Sequence, residues 1–398
     1  MVNEHGIIIT QSAGNDGPFI SSCKRHAVFD ANEEIFSIGS IITSDINNYV
    51  DDEYSNYVDP PDVWSYSSKG PLPTGARGVT FTAPGDAFIE NPKWHPVKQI
   101  LCSGTSGATP NAAGAIACLI SALKANSIKY SPQSIKLALS NTAYLPNEEN
   151  RLGFGNGIIQ INSAFEYFKT HKQMLENIES PPQLTIKNSD MKGIILHQFS
   201  NTADSNNYCI KVKQQKQIPW ILKLKPENQK HVEFSKTVSK NSFNVKILSK
   251  NLKPGKYYYS EIQGFDPSNL SLGPIFHFPI TVIVPEKVSN NSFKKEILVK
   301  PCTFLNFLIN PNESCTKCTV KFIDSENEKN EFKKIIKKSN KNGGTYTESY
   351  IKDGQNAHRW FIDIRWKEAF ELYIYQKFLY HKQLELKGIL EINFKTSP

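Results

Sequence analysis

The alternation of short apolar runs with helical stretches over residues 1 to about 170 constrains the fold most strongly. The runs at residues 6–10, 35–41 and 78–82 are rich in β-branched residues and bounded by polar ones, which predicts buried parallel strands. Residues 112–123 are apolar almost all round, which predicts a helix buried at the centre of a domain. Strands that alternate with helices indicate an α/β domain with a mostly parallel sheet.

Helix signals also follow this apolar segment. Ser131 is suited to be an N-cap, with Pro132 at the first helical position, and apolar residues follow at helical spacing. A further helix is expected over residues 163–175. Together with the strands, these signals predict a first domain over residues 1–178.

The pattern of residues along the sequence changes beyond residue 180. Short alternating runs at residues 220–225, 243–248 and 275–284 are separated by Pro, Gly and Asn turns, a pattern typical of an antiparallel sandwich. A second strand-rich stretch runs from residue 293 to residue 394. We therefore expect two β domains, at residues 183–285 and 290–398.

Charge and hydropathy argue against two classes of partner. The net charge of +8 comes almost entirely from lysine, and the densest cluster, at residues 333–341, is interleaved with Ser, Asn and Gly. We expect a solvated loop there, because nucleic-acid surfaces usually combine arginine with aromatic residues. No run approaches the roughly 18 apolar residues of a membrane span, and the first residues do not resemble a signal peptide. The sequence predicts neither a nucleic-acid nor a membrane partner.

The 7 cysteines are odd in number and scattered, which favours reduced, mostly buried thiols and a cytoplasmic location. Cys315 and Cys318 have the spacing of half a zinc site, but no second pair of ligands accompanies them and the local alternation suits a strand. Cys102 is likewise expected to be a buried strand residue. We expect no metal and no cofactor.

Two short motifs carry chemistry. Residues 12–18 (Ser-Ala-Gly-Asn-Asp-Gly-Pro) form a glycine-rich turn after the first predicted strand and place Asn15 at the carboxyl edge of the sheet, where open α/β sheets bind ligands. Residues 103–110 (Ser-Gly-Thr-Ser-Gly-Ala-Thr-Pro) open the apolar helix and place Ser106 at its N-terminus, where unpaired N–H groups favour negative charge. Each motif alone is weak evidence, since a Ser or Thr before a helix is usually just an N-cap.

On one α/β domain, the two motifs resemble the nucleophile and oxyanion-hole blocks of the subtilase family of serine peptidases. Three further segments resemble subtilase blocks in the expected order, at residues 64–71, 82–85 and 153–164. The resemblance implies a subtilisin-like α/β fold. It also implies that Ser106 is the nucleophile, and that the Asn15 amide and the Ser106 backbone N–H hold the oxyanion.

A finer resemblance is to the tripeptidyl-peptidase branch of this family, carried among others by residues 255–266 and 273–281. It implies that the second domain is an Ig-like sandwich and the third a galactose-binding-like β domain. It further implies peptide substrates that lose tripeptides from a free N-terminus, and a large homo-oligomer of the full-length protein.

The catalytic Asp and His expected of the family are absent, because neither an Asp-Thr/Ser-Gly block nor a His-Gly-Thr-His block occurs in the sequence. His5, His26 and His95 have no acidic partner at a recognisable spacing, and Asp16 lies inside the oxyanion turn. We therefore expect a fragment with a partial peptidase domain that is inactive by itself.

A further departure is Gly107, which stands where the family usually has methionine and is expected to weaken the helix start. Two alternatives remain open. The chain could belong to a secreted subtilase endopeptidase with trailing sandwiches, or be a truncated, non-catalytic interaction protein.

Overall fold

The computed structural model describes the following residues of the chain: 6–23, 35–43, 61–90, 92–94, 96, 99–147, 150–176, 178, 180–197, 205–214, 216–227, 229–300, 304–311, 313–325, 331–338, 345–351, 359–366, 369–376 and 385–396. They form an α/β unit followed by two units made of β-sheets, which we call the first, second and third units.

The first unit is built on a short parallel sheet. Strand β2 (Ile35–Ile42) is central and pairs in parallel with β1 (Ile9–Ser12) on one side and with β4 (Phe81–Pro84) on the other. The short β3 (Asp62–Val63) adds an antiparallel pairing at the end of β2. All eight residues of β2 are buried, as its β-branched sequence and central position require. The predicted parallel sheet is confirmed, although β1 begins at Ile9 and β4 at Phe81, later than expected.

In the described part of the chain, five helices follow or flank this sheet. They are α1 (Thr105–Ala125), α2 (Pro132–Thr142), α3 (Arg151–Phe154), α4 (Ile161–Thr170) and α5 (Lys172–Glu176). The predicted cap of α2 is confirmed: Ser134 N–H donates to Ser131 Oγ at 3.1 Å, and Ser131 N–H donates to Ser134 Oγ at 2.8 Å. The single helix expected at residues 163–175 is instead two helices, because the chain turns at His171.

Helix α1 packs across the sheet with only one of its faces. The buried positions recur at helical spacing: Thr105, Ala108, Ala112, Ile116, Leu119 and Leu123. On the opposite face, Ala113, Gly114, Ala117 and Cys118 are exposed. The prediction of a helix buried all round is therefore wrong for this chain, since no element in the described ranges covers the second face.

Helix α1 is also long and apolar enough to meet a length-and-hydropathy criterion for a membrane span, with a mean hydropathy of 1.2 over an 18-residue window. Core helices of globular proteins meet the same criterion.

An antiparallel hairpin links β4 to α1. It consists of β5 (Asp86–Glu90) and β6 (Gln99–Ser103), and it forms a two-stranded sheet of its own. Cys102 lies on β6, as the strand prediction required, but its side chain is exposed. The expectation of a buried Cys102 is wrong because the hairpin is not a layer of the parallel sheet.

The second unit is a β-sandwich of two four-stranded sheets. In strand order, one sheet contains β10 (Ile221–Lys225), β13 (Lys256–Phe265), β14 (Phe276–Val284) and β8 (Ile194–His197), and the other contains β11 (Val232–Phe234), β12 (Ser242–Leu248), β9 (Ser205–Lys213) and β7 (Gln183–Ile186). All pairings except that of β14 with β8 are antiparallel. Their inner faces share one apolar core, in agreement with the predicted sandwich.

The third unit is also made of two sheets. In strand order, one contains β15 (Glu286–Lys287), β17 (Phe304–Asn310), β22 (Phe370–Gln376), β21 (Arg359–Trp366) and β20 (Thr345–Ile351), and the other contains β16 (Ser292–Val299), β23 (Leu386–Thr396), β18 (Cys315–Asp324) and β19 (Glu331–Lys337). Cys315 and Cys318 lie on β18 within the apolar core, which confirms the strand prediction for this segment. Its predicted galactose-binding-like identity stays a prediction.

The lysine cluster at residues 333–341 is partly a strand, contrary to the loop expectation. Lys333, Lys334 and Lys337 lie on β19, an edge strand whose Ile336 is buried in the core. Phe332 and Ile336 pack on the core, whereas Ile335 on the other face of the strand is 58% exposed. Lysines on an edge strand also discourage pairing with other chains.

The three units pack against one another around one residue of the first unit. Ile20, in the loop after β1, is 2% exposed and packs with Leu152, Tyr259, Ile283 and Leu308, which come from all three units. The loop that follows Asn15 therefore lies where the three units meet.

A buried ionic cluster joins the first and second units. Glu261 of β13 is fully buried and pairs with Arg151 at 2.9 Å, with Arg77 at 3.5 Å and with His277 at 3.3 Å. Tyr259 OH also donates to this carboxylate, at 3.1 Å. Burial alone would raise the pKa of Glu261, but the Arg77 guanidinium, His277 and Arg151 hold that pKa well below its usual range.

Candidate active site

Asn15 lies at the carboxyl end of β1, in a turn that glycine makes possible. Gly14 has φ of 110°, a conformation that L side chains rarely adopt. Backbone hydrogen bonds fix the turn on both sides, from Ala13 N–H to Ile38 O and from Ser68 N–H to Gly14 O, each at 2.9 Å. The predicted position of Asn15 at the sheet edge is where the structure places it.

The Asn15 side chain is oriented by the first residue of helix α1. Its Oδ1 accepts hydrogen bonds from Thr105 N–H at 3.0 Å and from Thr105 Oγ1 at 2.8 Å. Asn15 therefore acts as a cap for α1 supplied from a distant strand. Because the oxygen is occupied in this way, the Nδ2 amide is left as a donor on the open side.

Ser106 is the second residue of α1 and is exposed. Across the residues that the structure describes, neither its hydroxyl nor its backbone N–H has a hydrogen-bond partner. The unpaired N–H follows from its place in the first turn of a helix, where no preceding carbonyl is available. A reacting group can thus approach both the hydroxyl and the N–H of Ser106.

Asn15 and Ser106 meet at the start of α1, beside Gly104. The hydrogen bonds from Thr105 to Asn15 Oδ1 hold the Asn15 side chain next to the residue that precedes Ser106. A Cβ on Gly104 would lie 3.3 Å from Asn15 Nδ2 and 3.8 Å from the Ser106 backbone nitrogen, so glycine permits this close approach. The structure therefore brings the two expected oxyanion donors to the same glycine.

None of the described histidines is placed to act as a base for Ser106. His171 is bonded within α4, with Nδ1 3.0 Å from Tyr167 O, and His277 belongs to the Glu261 cluster. Burial lowers the pKa of His231 in the second unit to about 4. His197 lies on β8 of the second unit. The sequence candidates His5, His26 and His95 fall outside the described residues.

A buried polar cluster behind the nucleophile was not expected from the sequence. Trp64 Nε1 donates to Asp86 Oδ2 at 2.5 Å, and the Trp64 ring stacks on Tyr66, whose OH lies 2.9 Å from Ser40 Oγ. Burial raises the pKa of Asp86, against the opposing effect of its hydrogen bonds to Ser103 and Trp64. The cluster ties the start of the β5–β6 hairpin to the central strand. Asp86 follows a glycine, but no recognisable sequence pattern around it predicts that its side chain belongs to a buried polar cluster.

The absence of a methionine side chain at Gly107 does not leave a gap, because the backbone here is closely packed. A Cβ at this position would lie 2.6 Å from Gly85 O, so the start of α1 has closed onto the β4–β5 turn. By contrast, a Cβ on Gly114, on the exposed face of the same helix, would have nothing within 4 Å.

The two glycines provide a matched test of this packing. We expect Gly107→Ala to lower the free energy of unfolding by about 1–2 kcal/mol, because the steric cost of overpacking exceeds the helix-propensity gain. Gly114→Ala is expected to raise it by about 0.5–1 kcal/mol, since only the propensity gain applies. Denaturant unfolding of the two variants measures both. Equal stabilisation would show that the Gly85 carbonyl moves away without cost.

Comparison with known proteins gives a consistent set of relatives. Residues 1–157 match the profile of the Subtilase family, and residues 183–283 match that of the first Ig-like domain of tripeptidyl-peptidase II. The chain is 30% identical over 329 residues to Tripeptidyl-peptidase 2 of Caenorhabditis elegans, covering 75% of this chain and 23% of that protein. It is also 30% identical over 316 residues to Tripeptidyl-peptidase 2 of Arabidopsis thaliana, covering 73% of this chain and 22% of that protein.

A solved structure shows the same fold. The crystal structure of tripeptidyl peptidase 2 superposes with a TM-score of 0.69 and covers 99% of this chain, at 20% identity. This chain in turn covers 32% of that structure. The chain thus spans between about a fifth and a third of the length of these relatives. An α/β unit of the matched family followed by an Ig-like sandwich confirms the fold class expected for the first two units.

Proposed function

Since the chain belongs to the subtilase family, we propose that it carries the nucleophile and the oxyanion hole of a peptidase that removes tripeptides from free peptide N-termini. Ser106 Oγ would attack the scissile carbonyl and form an acyl-enzyme. Asn15 Nδ2 and Ser106 N–H would donate to the carbonyl oxygen as it becomes anionic. The observation that carries this proposal is that the Asn15 side chain is bonded to Thr105, the residue before Ser106, so that both donors lie together at the start of α1. The tripeptide specificity is taken from the names of the relatives.

The reaction also needs a base and an acid that this sequence does not supply in the family's form. Without a base the Ser106 hydroxyl remains an ordinary alcohol and a poor nucleophile. We therefore propose that an Asp–His pair from outside these 398 residues completes the site. The exposed face of α1 supports this, because its small Ala and Gly residues permit close packing of another element against the helix that carries Ser106.

We further propose a cytoplasmic location and assembly into a large homo-oligomer. None of the cysteines in the described ranges forms a disulfide, which fits a reducing compartment. Burial raises the pKa of the Cys23 thiol to about 12, so this cysteine is kept as an unreactive core residue. Fractionation of the source cells and light scattering of the native protein would test the two points separately.

Serine-directed fluorophosphonate labelling of the native protein in its source lysate tests the catalytic role. We expect the label on Ser106, located by peptide mapping, in a species heavier than 44.9 kDa. Ser106→Ala should abolish labelling, whereas Ser103→Ala, which alters the neighbouring serine on β6, should keep it. An unlabelled species of 44.9 kDa would instead favour the non-catalytic interaction protein.

A further inference from the structure

The loop that follows Asn15, residues 16–22, is held by the third unit as well as by its own. Phe19 is fully buried, although it lies on a loop of the α/β unit. Its ring packs with Phe361, Tyr373 and Tyr375, all on strands β21 and β22. The rings of Phe19 and Tyr373 meet edge to face, with centroids 5.4 Å apart at 87°. The third unit therefore provides the pocket in which this loop is anchored.

The peptide group of the next residue is bound by a pair of charged side chains. Arg365 Nη2 donates to Ile20 O, and the Ile20 N–H donates to Glu371. Arg365 and Glu371 face each other across β21 and β22 and form an ion pair. The Arg365 guanidinium also lies 4.9 Å from the centre of the Phe19 ring. A planar guanidinium suits this combination of a carbonyl, a carboxylate and a ring face.

The same loop is bonded to the first unit on both sides of Phe19 and Ile20. Asp16 N–H donates to Ser68 Oγ at 3.0 Å and Gly17 N–H to Tyr66 O at 2.8 Å. Ser21 N–H donates to Gly70 O at 2.8 Å and Ser22 N–H to Lys69 O at 2.9 Å. These bonds fix the path of the backbone on either side, whereas the Phe19 side chain and the N–H and carbonyl of Ile20 are held by the third unit.

We infer that the third unit positions the oxyanion hole, with Arg365 and Glu371 as positioning residues that act through Phe19 and Ile20 on Asn15. Only three residues of a tightly bonded loop lie between Asn15 and Phe19, so a shift of the anchor displaces the amide donor. Displacement of a catalytic group by about 1 Å can cost on the order of 10² in rate. The inference rests on the proposed function for the role of Asn15, but the coupling of the loop to the third unit does not.

Hydrogen exchange of the 398-residue chain tests the coupling without any activity. Arg365→Met should speed exchange of the amides at residues 13–22 by about ten-fold or more. The loop is then anchored less firmly, so it opens locally more often. Lys294→Met is the matched control, since it removes a cation of the third unit whose partner is the surface residue Glu391. Peptides over residues 386–396 should stay protected in both, which shows that the third unit remains folded. Unchanged exchange at residues 13–22 would overturn the inference.

Phe19→Leu approaches the same anchor from the loop side. It keeps an apolar side chain in the pocket while removing the ring beside Arg365 and Tyr373. We expect faster exchange over residues 13–22 again, with unchanged exchange over residues 386–396. Protection equal to that of the unaltered chain would show that the ring contacts do not hold the loop.

Kinetics of the native enzyme separate positioning from general stability. Arg365→Met is expected to lower kcat by about 10- to 100-fold with KM changed less than about two-fold. In an Asn15→Ala background the same substitution should have no further effect on kcat, because the donor that it positions is gone. An equal loss in both backgrounds would contradict the inference. If exchange responds but no form of the protein reacts at Ser106, the proposed function fails while the coupling stands.

Discussion

Replacing Asn15 by alanine is expected to lower kcat of the native protein by about 10²–10³ with little change in KM, a magnitude established for the oxyanion donor of subtilisin. The loss falls on kcat because the amide hydrogen bond strengthens only as the carbonyl oxygen becomes anionic. Hydrolysis of a tripeptide amide with a free N-terminus measures it.

Asn15 also caps α1, and a control variant has to separate this structural role from the role as oxyanion donor. Its Oδ1 caps α1 through Thr105, so Asn15→Ala also removes both of those hydrogen bonds. Asn15→Asp keeps an oxygen for Thr105 and retains the cap, but it replaces the donor by a second acceptor. We expect this variant to unfold like the unaltered protein and to lose at least as much activity as Asn15→Ala.

Thr105→Val is the complementary variant. It removes the hydroxyl that donates to Asn15 and leaves the amide donor in place, so we expect less than about a ten-fold loss in kcat. If Thr105→Val and Asn15→Ala reduced kcat equally while Asn15→Asp stayed active, Asn15 would be only a cap.

Local patterns predicted the elements on which the site stands. The capped start of α2 and the strand character of Cys315–Asp324 follow from residue order within a few positions, so short-range physics determines them. The pairing of Asn15 with Ser106 came from two motifs of a known family, which encode a long-range contact that periodicity alone does not reveal. The structure then added the role of Thr105, which no motif specified.

The features that sequence reasoning missed all depend on contacts between distant segments. The burial of α1 on one face only depends on which other elements cover the helix. The apolar sequence of the helix does not specify those elements. Arg365 and Ile20 are separated by most of the chain, and an arginine on a strand looks like any other surface residue. The same holds for Glu261, whose partner Arg151 lies 110 positions away in the sequence.

Replacing Glu261 by glutamine is expected to lower the free energy of unfolding by about 3–5 kcal/mol, the largest stability effect that the structure implies. The substitution keeps the shape of the side chain but leaves Arg77 and Arg151 without their buried counter-charge at the junction of the first two units. Denaturant unfolding at neutral pH measures the difference.

The matched control is the same substitution in an ion pair whose lysine is exposed and whose glutamate is only partly buried. Glu391 lies 2.6 Å from Lys294, whose side chain is 63% exposed, and Glu391→Gln is expected to cost at most about 1 kcal/mol. Similar losses for the two variants would show that the buried cluster contributes no more than a surface ion pair.

The pH dependence of the Glu261→Gln effect has a definite sign. The folded-state pKa of Glu261 lies well below the ordinary value of 4.5, so its stabilising contribution is fully present above about pH 4.5 and is lost as pH falls towards the folded-state pKa. The difference in the free energy of unfolding between the unaltered chain and Glu261→Gln should therefore shrink in acid. Between pH 6 and 8 the ionisation of Glu261 does not change, so it should leave this difference constant. A difference that grew below pH 4.5 would mean that the carboxyl is protonated in the folded protein, and that burial rather than the Arg77 and Arg151 guanidinium groups controls its charge.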